Sequence, residues 1–217
     1  MRQFILIITT LFLLTSCTRQ KEKNSTLKTS EIQWTKNDSD IFYISTQDKV
    51  KQLGLDSLQN GSDSLQIRIW YDYSTDITRK LLVINKTNSF WTASLYTMTV
   101  IDRIGTDLKE MNSPEKIRLE KTENLQPKNG WDRFINKILS LQIISLPDMY
   151  SIPGMKVGVE DGVTYSIEVA MRHKYRFYSY SNPDEIKEEY WQAKNMVDII
   201  DLLETELEVR KEKNTTR

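Results

Sequence analysis

The stretch "VTYSIEVAMRHKYRFYSYS", residues 163–181, restricts the fold of this chain more than any other. Val163, Tyr165, Ile167, Val169 and Met171 alternate with polar or small residues, the period of a strand with one buried face. After Arg172-His173-Lys174, Tyr175, Phe177 and Ser179 alternate with Arg176, Tyr178 and Tyr180. Strands this close in sequence pair as an antiparallel hairpin. A two-residue turn would set Val169 beside Arg176. A three-residue turn pairs Met171 with Tyr175 and Val169 with Phe177 on one apolar face, and is the expected register. It sets Glu168 opposite Tyr178 and diagonal to Arg176, an ordinary cross-strand ion pair.

The same pattern recurs upstream. Leu65, Ile67, Ile69, Tyr71 and Tyr73 alternate with Gln66, Arg68, Trp70 and Asp72. "RKLLVINKT" and "FWTASLYTMTVI" continue it, the second with Trp91, Ala93 and Leu95 on one side and Tyr96, Met98 and Val100 on the other. Joined by short polar turns, these predict an antiparallel meander, with a further strand around Ile117 and Leu119. After Asn129-Gly130 the period changes: Trp131, Phe134, Ile135, Ile138 and Leu139 fall on one face of a helix. Asn182, Pro183 and Glu185 form a helix-start signal, and Ile186, Tyr190, Ala193, Val197, Ile200, Leu203 and Leu207 mark the packing face of a long C-terminal helix. The expected class is α+β: an antiparallel sheet of about 5–7 strands with two helices on one side of it. One domain is expected over residues 32–210, with residues 211–217 a frayed tail.

Residues 1–16 read differently. Arg2 precedes Phe4–Leu14, eleven residues that are apolar except for Thr9 and Thr10. A membrane-crossing helix needs about 20, so the run fits a secretory signal, charged region first and short apolar region next. Leu14-Thr15-Ser16-Cys17 then places the single cysteine of the chain. This tetrapeptide resembles the lipobox of bacterial lipoprotein precursors. The resemblance implies a diacylglyceryl group on the Cys17 thiol, cleavage before Cys17 and acylation of the new amine, which gives membrane attachment through two or more chains. The chain's only thiol would then be lipidated, which suits an oxidising envelope. Residues 17–31 carry, after Cys17, the polar "TRQKEKNSTLKTS" (residues 18–30), which cannot bury enough surface to fold and reads as a tether. Thr18 is not the Asp that favours inner-membrane retention, so an outer-membrane anchor facing the periplasm is expected. The pattern "DGVTYSIEV … KYRFYSYSNPDE" with its following helix is likewise similar to small uncharacterised lipoproteins of Gram-negative envelopes.

Chemistry is sparse. Lys+Arg and Asp+Glu number 30 each, so nothing in the charge balance points to nucleic acid. His173 is the single histidine and sits at a hairpin tip, where a turn residue is expected rather than a general base. With one Cys and one His, Cys/His zinc sites and paired-His metalloprotease motifs are excluded. Asp56, Asn60 and Gly61 match three positions of a calcium loop, but Leu58 and Ile67 occupy two ligand positions and exclude it. No phosphate-cradling or dinucleotide fingerprint occurs, so no cofactor or metal is expected. Asp56-Ser57-Leu58 and Asp63-Ser64-Leu65 look like the Asp-Ser/Thr-apolar acceptor of some bacterial O-glycosylation systems.

Two functional expectations follow. The first is a non-enzymatic, lipid-anchored module that binds another envelope protein through its sheet or hairpin, with Arg172, Lys174, Arg176, Tyr178 and Tyr180 as its surface. Tyr178 and Tyr180 packed beneath a helix would remove that surface. The second is a glycan-binding or glycan-cleaving protein using Glu160, Asp161 or Glu168, since glycoside hydrolysis needs two carboxyl groups flanking the bond.

Overall fold

The six strands whose alternation is visible in the sequence form one antiparallel sheet in the order β4-β3-β2-β1-β5-β6. The computed structural model describes residues 40–102, 115–155 and 162–209. The strands are β1 (Gln66–Tyr73), β2 (Thr78–Thr87), β3 (Phe90–Asp102), β4 (Lys116–Leu125), β5 (Val163–Met171) and β6 (Lys174–Ser181). The first four are the expected meander. The chain then leaves the sheet, and β5 returns beside β1, which becomes central, with Ile69 opposite both Leu82 and Ile167.

Helices cover both faces. Helix α2 (Trp131–Ser140) follows Gly130, whose φ of 80° a residue with Cβ adopts only under strain. Phe134, Ile135 and Ile138 are buried, while Leu139 stays exposed. The C-terminal segment is two helices rather than one: α3 (Pro183–Ile186) and α4 (Trp191–Leu207), interrupted where Tyr190 turns extended and donates its hydroxyl to the Gly154 carbonyl. Asn182 does not cap with its side chain. It takes a left-handed φ of 45°, and its Oδ1 accepts from the Val163 backbone N–H, tying the end of β6 to the start of β5. Within α4, Ala193, Val197, Ile200, Leu203 and Leu207 are buried as the periodicity requires.

Helices α2 and α4 pack on the same face of the sheet, where Ile67, Ile69, Tyr71, Leu82, Ile84 and Ile167 join Phe134, Ile138, Met196 and Ile199 in the main core. The opposite face carries an element with no clear sequence signal, α1 (Ile41–Gln52). It is capped by Asp40, whose Oδ1 accepts from the Phe42 N–H, and stopped at Gly54 in the left-handed region. Smaller apolar groups pack in its vicinity: Tyr43 with Ala170, Tyr175 and Phe177, and Val50 with Trp70, Leu81 and Met98.

The hairpin register also differs from expectation. Met171 pairs with Lys174 and Val169 with Arg176, so the turn holds two residues, Arg172 and His173, both at positive φ. Glu168 lies opposite Phe177 rather than Tyr178. The sheet is buried on both faces, so apolarity does not discriminate between the two registers. Arg176 remains on the apolar face because its Nη1 and Nη2 donate to the carbonyls of Ile144 and Leu146.

The two edge strands are handled differently. β4 alternates Lys116, Arg118, Glu120, Lys121 and Glu123 along an exposed edge, which discourages pairing with another chain. β6 is covered by residues 143–149. The Tyr178 hydroxyl donates to the Ile143 carbonyl and the Tyr180 hydroxyl to the Pro147 carbonyl, while the Ser179 N–H donates to an Asp148 carboxylate oxygen.

Candidate functional site

Beyond the C-terminal end of α1, its face of the sheet is left open, and a crevice of about 830 Å³ forms there. Gln66 and Arg68 of β1, Val83 and Asn85 of β2 and Tyr96 of β3 line it from the sheet side, the 55–64 loop from a second, and the hairpin tip, Arg172 and His173, from a third. This is the size range of small-molecule sites.

The walls are fixed by a buried polar network. Glu168 is fully buried, and its Oε1 accepts from the Tyr175 hydroxyl (2.9 Å) and from Gln47 Nε2 of α1 (3.1 Å). Its Oε2 accepts from the Trp70 indole (3.0 Å) and lies 3.8 Å from Arg68 Nη1. Gln47 in turn accepts from Gln59, and Arg68 Nη2 donates to the Asp56 carbonyl at 2.7 Å. One carboxylate thereby organises helix, strand and loop together. Burial, together with the Glu168 charge, pushes the Tyr175 phenol well above its ordinary pKa, so it stays a proton donor. Burial lowers the Arg68 pKa, against the pull of Glu168. Arg68 Nε and Nη1 are buried without a hydrogen-bond acceptor among the described residues, a situation that costs roughly 1–3 kcal/mol per group.

The hairpin tip is strained and held. Two-residue hairpin turns with both φ positive favour Asn-Gly or Asp-Gly; here Arg172 (φ 23°) and His173 (φ 62°) occupy them. Each such residue costs of order 1–3 kcal/mol. The Arg172 N–H donates to the Ser62 carbonyl, and a Cβ on Gly61 would lie 2.4 Å from the His173 nitrogen. Loop and tip are pressed together so closely that only glycine fits between them.

No protein-family model, curated protein or solved structure matches this chain.

Of the residues named from sequence, Arg172 and Lys174 are exposed at the tip, whereas Arg176, Tyr178 and Tyr180 are buried beneath residues 143–149. The row of cations and aromatics is thus an internal anchor and not an outer surface. Arg176 stacks over the Tyr178 ring at 4.8 Å. Glu168 is occupied by three hydrogen-bond donors with no exposed surface, so a substrate cannot reach it. Cys17, Glu160 and Asp161 lie outside the described residues. Ser57 and Ser64 of the two Asp-Ser-Leu sequences both line the crevice.

A second concavity, of about 430 Å³, lies at the start of α1. Lys49 and Arg79 meet Asp72 and Glu115 there, with Arg79 Nη2 2.7 Å from Glu115 Oε1 and Lys49 Nζ 2.5 Å from Asp72 Oδ1. Arg79 also donates to the carbonyls of Asp76 and Thr78. Two cations and two carboxylates neutralise one another and bind α1 to the sheet. Among the described residues, no group of three or more His, Cys, Asp or Glu side chains is placed to hold a metal, and no helix is long and apolar enough to cross a membrane.

Sequence reasoning missed Arg68, Gln47 and Trp70 as a unit. The one available signal was Glu168 as the single charged residue of its strand; its partners come from β1 and α1 as well as from Tyr175 of the adjacent hairpin strand.

Proposed function

We propose that this chain is a lipid-anchored, non-enzymatic binding protein of a Gram-negative envelope. It is held at the outer membrane, facing the periplasm, through lipid on Cys17. The β5–β6 tip docks on an acidic surface of another envelope protein. The observation that carries this reading is the tip itself: Arg172 and His173 are exposed, strained, and locked by Ser62 and Gly61. Strain maintained at an exposed position is a mark of function, and a pre-formed tip binds without an ordering cost. Arg172 and Lys174 supply the charge for partner choice.

A photo-crosslinking residue at position 173 in intact cells tests the docking. A discrete protein adduct is expected, weakened by Arg172→Glu with Lys174→Glu; recovery of no protein adduct would overturn it. Labelled palmitate should enter the wild-type protein and not Cys17→Ala. Label retained in the variant would sink the anchor.

A further inference from the structure

The crevice beneath the tip selects a ligand by chemistry. Its charges are mixed in sign: Arg172 stands against Asp56 and Asp63, while Arg68 is matched by the buried Glu168. A strongly charged ligand of either sign would meet repulsion as well as attraction. An apolar ligand would have to strip water from Gln66 and Asn85 without replacing its hydrogen bonds. What remains is an uncharged ligand dense in hydroxyl groups.

The lining suits such a ligand. Asn60, Gln66 and Asn85 offer amides, each able to donate and accept, and Asp56 and Asp63 offer acceptors. The hydrogen bonds that hold the loop run through the backbone of Asp56, Leu58, Ser62 and Leu65 and through Gln59, which leaves the side chains of Asn60, Asp63 and Gln66 unused by them. Tyr96 adds a half-buried ring with a polar end, the kind of surface on which a sugar's C–H face packs. We propose that the crevice between the 55–64 loop and β1–β3 binds an uncharged saccharide. At about 830 Å³ it accommodates a short oligosaccharide. This goes beyond protein docking at the tip; the two share Arg172 and His173 at the rim and nothing deeper.

The full-length lipidated protein in detergent micelles, applied to a printed array of neutral oligosaccharides with sulfated and sialylated counterparts, tests this. Binding to neutral spots is expected, and titration calorimetry with the best of them should show affinity falling tenfold or more in Asn85→Ala and in Gln66→Ala. Both residues are half-exposed, and unchanged urea midpoints would certify folding. Lys174→Glu should leave sugar affinity unchanged while weakening the crosslink at the tip. A blank neutral array, a preference for acidic glycans abolished by Arg172→Ala, or affinity indifferent to Asn85→Ala would each overturn the proposal. A blank array with an intact tip crosslink would remove the saccharide and keep the docking; sugar binding with no crosslink would do the reverse.

Discussion

On the face of the sheet turned toward α2 and α4, Ile69, Leu82 and Ile167 meet Phe134, Ile138 and Ile199, and their interaction is set by volume. On the face turned toward α1, Trp70, Leu81 and Met98 share the space with Arg68, Arg79, Lys49 and Glu168, all nearly or fully buried. Apart from Arg176, Tyr178 and Tyr180 beneath residues 143–149, the first face tolerates any well-packed apolar set. The second is correct in one pairing only, because each buried charge needs its own partner. The crevice opens on this second face, where the positions of side chains are most narrowly specified.

The largest test of that contrast is Glu168→Leu. Alone it leaves Arg68 buried beside no carboxylate and should cost about 3–5 kcal/mol. Adding Arg68→Met should restore only the share due to the unpaired guanidinium, because Gln47, Trp70 and Tyr175 still lack their acceptor. Urea denaturation of the two variants reads both numbers. A single-variant cost below about 1 kcal/mol would mean that the network does not hold the α1 face.

Next in size is the contact between loop and tip. Gly61→Ala combines a φ of 86° with a Cβ 2.4 Å from backbone that cannot swing aside, and should cost about 1–3 kcal/mol. Gly54→Ala, at φ 64° with no atom within 4 Å, carries only the conformational term of about 1 kcal/mol. Equal costs at the two glycines would show that the tip yields, and would remove the rigidity on which its docking depends.

The two faces also differ in how far the sequence reveals them. The strand at 66–73 is legible because its odd residues are uniformly apolar, and α2 and the buried positions of α4 are legible for the corresponding helical reason. The turn length is not, since judging Val169 beside Arg176 as a mismatch assumes that a guanidinium on an apolar face has no acceptor. Ile144 and Leu146 supply two, from thirty residues away. Helix α1 is hidden for a related reason. "IFYISTQDKVKQ" buries Thr46, Gln47 and Lys49 together with Tyr43 and Val50, so its buried stripe is not an apolar stripe. The crevice inherits this: Arg68 and Glu168 signify a site only once Gln47, Gln59 and Asp56 are beside them.

Acid titration separates two carboxylates without disturbing either core. Burial raises the Asp148 pKa, despite bonds from the Ser179 and Tyr150 N–H groups. Its native state therefore holds a proton longer than the unfolded chain. That contribution is complete below the ordinary Asp pKa and is lost as pH rises through the raised value. Glu206 is the opposite case: the Asn129 side chain, and then its backbone N–H, lower its pKa. Its contribution is present above the ordinary Glu value and is lost as pH falls through the lowered one. Urea midpoints measured from about pH 3 to 7 should lose their upper decline in Asp148→Asn and their acid decline in Glu206→Gln. A swapped pattern would refute both assignments.

The smallest expected effect divides the apolar face within itself. Tyr178 and Tyr71 are both fully buried there, yet the Tyr178 hydroxyl donates to the Ile143 carbonyl at 2.6 Å while the Tyr71 hydroxyl has no partner among the described residues. Tyr178→Phe removes a bond and orphans a carbonyl, so a loss of about 0.5–1.5 kcal/mol is expected. Tyr71→Phe removes a desolvated hydroxyl that repays nothing, and should leave stability unchanged or raise it by up to about 1 kcal/mol. Thermal unfolding of the two variants under one condition decides the matter. If Tyr71→Phe were as costly as Tyr178→Phe, the hydroxyl would have to be bonded, and the apolar face would be held by specific pairings as the α1 face is. If it is neutral, volume governs that face around Tyr71, and its demand for exact partners is limited to Arg176, Tyr178 and Tyr180 beneath residues 143–149.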